Sequence, residues 1–431
     1  MKKIILLSII ILPLLGLSQE EKKFGIKFSG FVKTDIFFDS RQTVTARDGH
    51  FLLYPMNENM DINGDDINAS SQFNMLAIQT RLKGTITGPD VFGAKTTGLI
   101  EGAFFGNIQN DINGFRLRHA FVKLSWEKSE LLVGQYWHPM FVTSCFPGTV
   151  SFNTGVPFQP FARNPQVRFT KKFGNINLIG AAMTQVDFSD FGPAGVSTKY
   201  IIDASIPELN LRLEYKGDKL LVGAGVNYKT LKPRLSIPND PTVTMPEGHT
   251  VKVNDKATGT SFFGYIKFKT EPVTFKLYGV SGQSMFGMTN IGGYAESEII
   301  TLEMNTQDKP IIGYNYTPYK TTSFWTDIHT NGKTWQFGLF GGFSQNGGTD
   351  DKIDTNGAKY TRGGNIDYVY RLSPRVTYSV GKFRIAPEIE YTVAAYAHPD
   401  DDGNMYDEKG KVTNSQEVGN FRFLIGVYFF F

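Results

Sequence analysis

From Gly25 onward, large apolar side chains recur at every second position. In GIKFSGFVKTDIFF, Ile26, Phe28, Gly30, Val32, Ile36 and Phe38 share one face with Thr34, while Lys27, Ser29, Lys33 and Asp35 share the other with Phe31. In NMLAIQTRLKGTI, Leu76, Ile78, Leu82 and Ile86 alternate with Gln79, Arg81 and Lys83, and in LNLRLEY, Leu209, Leu211, Leu213 and Tyr215 alternate with Asn210, Arg212 and Glu214. The closing stretch GNFRFLIGVYFFF puts Phe423, Ile425, Val427, Phe429 and Phe431 on one face and Arg422 on the other. Successive side chains of a strand point to opposite sides, so alternation this long specifies strands with one apolar and one polar face. The chain holds 36 Phe and is 14% aromatic, yet no apolar segment after residue 18 approaches a membrane-spanning helix, which needs about 20 residues.

Tight turn signals punctuate the alternation at Thr87-Gly88-Pro89-Asp90, Lys128-Ser129-Glu130, Phe173-Gly174, Lys216-Gly217-Asp218, Thr270-Glu271-Pro272, Asn331-Gly332 and Gly381-Lys382. Longer polar connections fall near 40–70, 109–114, 138–164, 188–203, 235–256, 288–320, 348–363 and 398–418. Seven short turns alternating with eight longer connections join sixteen strands, expected near 25–39, 71–86, 95–108, 115–127, 131–137, 165–172, 175–187, 204–216, 219–234, 256–270, 273–287, 320–331, 334–346, 364–380, 384–397 and 419–431. An even strand number with one short-looped and one long-looped end is the pattern of a transmembrane antiparallel β-barrel, with short periplasmic turns and long extracellular loops. Backbone groups in lipid must be paired, so the all-β sheet is expected to close. Phe37, Phe38, Trp126, Tyr136, Trp137, Tyr215, Tyr228, Tyr391 and Phe431 lie near strand ends, where interfacial girdles sit.

The N-terminus reads as a secretory signal peptide over residues 1–18: Lys2 and Lys3, an apolar run from Ile4 to Leu15, then Gly16-Leu17-Ser18 before Gln19. Residues 19–431 are then a single barrel domain in the outer membrane of a Gram-negative bacterium. Net charge is +3, or +1 once Lys2 and Lys3 are removed, which argues against nucleic-acid binding. Cys145 is the only cysteine, so no disulfide framework is available, and it reads as a packed, shielded thiol. DINGDDINAS places Asp61, Asn63 and Asp65 at calcium-loop offsets but has Asp66 where Gly is required and Gln72 where Glu is required. HPDDDGNMYDE is similar; calcium in the extracellular loops is a weak expectation and no other cofactor or metal is expected. The six histidines are scattered and no nucleophile–base grouping stands out, so the chain is not expected to be an enzyme.

GFVKTDIFFD on the first strand, FRLRHAFVKLSWEKSELLVGQYW on the fourth and fifth, and the aromatic terminus resemble the sixteen-stranded outer-membrane porins, and among them the DcaP-like group. The resemblance implies a homotrimer of water-filled channels in a lipopolysaccharide-bearing membrane. It also implies that Phe423, Ile425, Val427, Phe429 and Phe431 form the signal read by the barrel-assembly machinery. The third external loop, HPMFVTSCFPGTVSFNTGVPFQPFARN at 138–164, is the implied constriction, with His138, Phe146, Phe152 and Arg163 as its candidate residues. That loop lacks the acidic cluster of classical general porins.

Sixteen strands leave room for an aqueous channel. Parity opposite to the apolar face assigns Lys33, Arg81, Lys83, Arg168, Arg212, Lys267, Arg371, Arg375 and Arg422 to the lumen, opposed by Asp35, Glu101, Glu214, Asp327, Asp367, Glu388 and Glu390. Arg116 and Arg118 share parity with the lipid-facing Val122, Leu124 and Trp126. Either a bulge flips the register or they lie above the hydrocarbon; the resemblance puts an arginine of this strand in the lumen, and Arg118 is expected inward past a bulge. The slightly basic mixture points to passive diffusion of small hydrophilic solutes with a mild preference for anions. The alternatives are a plugged, structural or secretion-associated barrel whose loops bind protein partners, and a transporter of hydrophobic substrates.

Overall fold

The computed structural model describes residues 24–106, 111–238, 250–304 and 310–431. The expected signal peptide and its cleavage point lie outside the described residues. Sixteen barrel strands follow one another around a closed antiparallel sheet. They are β1 (Gly25–Asp39), β2 (Gln72–Leu76 and Arg81–Thr87, two segments on one neighbour), β3 (Lys95–Ala103), β4 (Arg116–Ser125), β5 (Ser129–Trp137), β6 (Arg163–Phe173), β7 (Ile176–Met183), β8 (Glu208–Lys216), β9 (Leu220–Leu231), β10 (Ala257–Lys269), β11 (Val273–Gln283), β12 (Pro310–Thr330), β13 (Trp335–Thr349), β14 (Ile366–Val380), β15 (Phe383–Ala397) and β16 (Ser415–Phe430). The seam pairs Phe31 with Phe430 through Asp39 with Arg422, and Gly30 and Phe431 exchange both backbone bonds at 3.2 Å.

The barrel is inside out relative to a water-soluble domain. On β16, Phe423 is 51% exposed and its neighbour Arg422 is fully sealed. Phe421, Ile425, Phe429 and Phe431 also face out, with Val427 half-buried among them. An apolar outer wall with polar side chains within is the arrangement lipid demands. Among the described residues no helix is long and apolar enough to cross a membrane.

Several local expectations change. Phe37, Tyr136 and Trp137 are not girdle residues: Phe37 is buried inside with Arg422 over its ring, and Tyr136 and Trp137 pack around His119. Near them, Gly134 takes φ +135°, a conformation other residues rarely adopt, while β5 pairs with both neighbours through it without a shift of register. Asp367 sits at a register shift of β14, and its carboxylate accepts from the outward-facing Gln345 (3.4 Å) and from Ser415 (3.5 Å), so it lies outside the lumen. The connection expected over 288–320 is largely a hairpin, Gly292–Met304 paired with the first part of β12, extending the wall beyond the barrel at the long-loop end. One short helix, α1 (Lys199–Ala204), appears in a long loop where no helical spacing was legible.

Candidate functional site: the barrel interior

The third long loop crosses the interior and is held mainly by wall side chains gripping its backbone. Gly148 N–H donates to Asp327 Oδ2 (3.1 Å) on β12, and Val150 and Ser151 N–H donate to Glu388 on β15 (2.7 and 3.0 Å). Asn153 donates to Glu390 (3.2 Å), Arg371 to the carbonyl of Val156 (2.8 Å) and Lys33 to the carbonyl of Val150 (2.8 Å). The loop itself holds no Asp or Glu, and the carboxylates that meet its amides come from the wall. Gly342 makes room on β13, since a Cβ there would lie 2.5 Å from the Phe158 ring.

These clamps change what several expected lining residues do. Lys33, bonded to Gln79, Val150 and Asp35, is sealed from solvent. Arg371 binds Thr392 and the carbonyls of Leu52, Leu53 and Val156; Arg375 pairs with Asp327 (2.8 Å); Arg422 pairs with Asp39 (2.6 Å). Arg168 donates to Gln166 and the carbonyl of Trp137, and Arg212 to the carbonyl of Pro139 (2.9 Å). Together with Asp327 and Glu388 they point inward, as parity requires, but as fasteners of the loop and the wall rather than solvated lining. Each clamp meets charge or a polar group at hydrogen-bond distance, as a buried ion must.

Arg118 is the residue at which β4 changes parity. Glu101 pairs with His119 and Gly102 with Leu117, so Arg118 is the extra residue of a bulge. Leu117 faces out, both Arg116 and Arg118 face in, and Arg118 Nε reaches Glu101 Oε1 at 2.8 Å.

A second loop enters the barrel, which the sequence reading did not anticipate. The hairpin Thr43–Ala46 with Phe51–Pro55 packs against the third loop. His50 stacks on Phe152 with centroids 4.8 Å apart and its Nε2 meets Asp35 at 2.8 Å; burial holds its imidazole below its ordinary pKa. Phe51 meets Phe161 edge-on at 5.1 Å, and Tyr396 donates to the carbonyl of Pro55 (2.7 Å). The signal was present as FLLYP, five consecutive weakly polar or apolar residues in an otherwise polar loop. The two loops share an aromatic core that includes Phe105, Phe141, Phe158 and Trp325.

Three arginines from three places close this plug on Asp187. Arg163 at the start of β6 (2.5 Å), Arg116 on β4 (2.8 Å) and Arg47 at the hairpin tip (3.5 Å) all meet its carboxylate. Burial alone would push that carboxyl up, but Arg163, Arg116 and Arg47 outweigh it and hold it far below the usual range.

Of the constriction candidates, His138 is buried, accepting from Met140 N–H (3.2 Å) and meeting Glu208 (3.1 Å). Phe152 is core and Arg163 belongs to the Asp187 cluster. Phe146 is 40% exposed. It borders, with Arg81, Arg384, Tyr136 and Tyr428, a cavity of about 490 Å³ beneath the third loop, and no Asp or Glu lines that cavity. Lys83 and Glu101 face each other across β2 and β3 on the same inward surface. Cys145 is fully buried in the third loop, and burial pushes its thiol up to about 12, leaving it protonated and unreactive.

The calcium-like stretches are tight turns. Asp61 accepts from Asn63 and Asp65 N–H (2.8 and 2.9 Å), Asp400 from Asp402 and Asn404 (3.0 and 2.7 Å), and Asp407 from Lys409 and Lys411 (both 2.9 Å). In each, a carboxylate oxygen that a cation would need is taken by backbone. Among the described residues no group of His, Cys, Asp or Glu is arranged to hold a metal.

A closed sixteen-stranded barrel with a loop folded inside is the porin architecture. No family model matches the chain, and no curated protein matches it. Solved structures do. The outer membrane channel DcaP of Acinetobacter baumannii superposes with a TM-score of 0.63 at 16% identity, covering 95% of this chain and 97% of that one. An anion-selective porin from Comamonas acidovorans gives 0.56 at 12% identity over 95% and 100%, and the trimer form of OmpT from Vibrio cholerae 0.53 at 9% over 95% and 99%. At these identities the likeness establishes the outer-membrane barrel fold.

Proposed function

We propose that the protein is an outer-membrane porin of a Gram-negative bacterium, admitting small hydrophilic solutes by passive diffusion with a mild preference for anions, and that it is not an enzyme. The observation that carries this reading is the cavity beneath the third loop, cationic through Arg81 and Arg384 with no acidic lining residue. Fixed charge in a low-dielectric wall concentrates counter-ions. The solved anion-selective porin of like fold is consistent with it. The long loops would face lipopolysaccharide and the short turns the periplasm, and assembly as a homotrimer by the barrel-assembly machinery completes the reading. Reversal potentials in a potassium chloride gradient across a planar bilayer test it: the expected sign is that of chloride permeating faster, and cation preference refutes it.

The two-loop plug favours a second reading, a barrel shut in this conformation whose loops serve partners. Steady single-channel steps support the porin; a silent, correctly folded barrel supports the scaffold.

A further inference from the structure

Four lysines converge on one small cavity at the short-turn mouth. Lys216, Lys219, Lys267 and Lys269, with Asp218 and the third loop's Ser144, line a space of about 250 Å³. Strand pairing brings them together. Leu221 on β9 pairs with Lys216 on β8 and with Lys267 on β10, and Leu221 is buried, so all three lie on the inward surface. The turn is fastened by Gly217 N–H to Leu220 O and Lys269 N–H to Lys219 O, both 2.8 Å. Lys267 Nζ donates to Ser144 O at 3.2 Å, which ties the cavity to the loop that crosses the barrel. Lys216, Lys219 and Lys269 remain exposed.

Four lysines therefore share this space with one acidic residue, Asp218, and no other acid lines it. Their mutual repulsion falls when a multiply charged anion enters, and compact ammonium point charges suit a tetrahedral oxyanion. The space takes such an ion with a few waters, each of which fills about 30 Å³ in the liquid. We propose that this pocket is a binding site for phosphate-class oxyanions at the inner mouth of the barrel. Because Lys216 and Lys267 lie on the inward surface, the occupant is free anion rather than a lipid headgroup. The site's part in permeation rests on the porin reading; its binding of phosphate does not.

The test is calorimetric titration of inorganic phosphate into the full-length barrel, folded in phospholipid-free detergent at low salt. Saturable binding is expected, weakened at least about tenfold in the combined Lys216→Gln, Lys219→Gln, Lys269→Gln variant and retained when the same three become Arg. Absence of saturable binding, equal affinity in the Gln variant, or binding seen only to vesicles containing anionic phospholipid overturns the proposal. In a bilayer, phosphate on the short-turn side should reduce chloride current in the parent and not in the Gln variant. A barrel that binds phosphate but passes no current sinks the porin reading and leaves the site standing.

Discussion

Asp187 joins a loop tip, two strands and the long connection it sits on at one carboxylate. Replacing it with Asn leaves Arg47 and Arg163 buried against a neutral amide, and losing one partner of a buried ion cluster costs about 3–5 kcal/mol. The expected outcome is undocking of the Arg47 hairpin, seen as faster proteolysis or hydrogen exchange over residues 43–55 while the barrel stays folded; unchanged protection there contradicts the assignment. The pH dependence follows from the direction of the shift. A carboxyl held below its ordinary value contributes stability that is present above the unfolded value, about 3.9, and is lost as pH falls further. Conductance should therefore be flat from about pH 5 to 8, and the hairpin should loosen only in stronger acid. Loosening near neutrality would mean that a different group holds it.

At the scale of elements, the hairpin and the third loop fill the barrel because each brings apolar side chains that neither water nor lipid reaches. Phe51 and Leu53 are the hairpin's anchors. Each buried side chain of this size contributes about 1.5–3 kcal/mol, so Phe51→Ser with Leu53→Ser should release the hairpin, raising single-channel conductance without altering the barrel's heat-modifiable gel migration. Unchanged conductance would show that the hairpin does not narrow the path. FLLYP showed the burial in the sequence, but polar surroundings disguised it as ordinary loop. The bulge at Arg118 was legible as a conflict: two arginines on the parity of Val122 demand either a bulge or a position beyond the hydrocarbon, and only the pairing of Glu101 with His119 and Gly102 with Leu117 decides between them.

Over the whole molecule, closure depends on β1 meeting β16. Phe431 makes two backbone bonds with Gly30 at this seam and projects its ring outward. Deleting it should lower the yield of folded barrel far more than it alters ion selectivity in the molecules that do insert; normal assembly counts against an assembly role. Charge is also divided along the axis. The short turns carry Lys128, Lys216, Lys219, Lys269, Lys333 and Lys382 against Asp90, Glu127, Asp218 and Glu271, while the first and last long loops are acidic through Asp61, Asp65, Asp66, Asp400, Asp401 and Asp402. On the proposed anion-preferring reading, such an asymmetry would favour entry of anions from the short-turn side.

The sequence by itself determined the strands, their number, the alternation of short and long connections and, outside the bulge of β4 and the register shift at Asp367, which face of a strand meets lipid. These follow from period-two chemistry and turn residues, which act locally. Tertiary structure decided the interior. Lys33, Arg371 and Glu388 read as lumen charges by parity, yet they are clamps because a loop more than a hundred residues away from each folds onto them. Parity fixes the side a residue faces; what it meets there depends on contacts across the barrel, which no local period records.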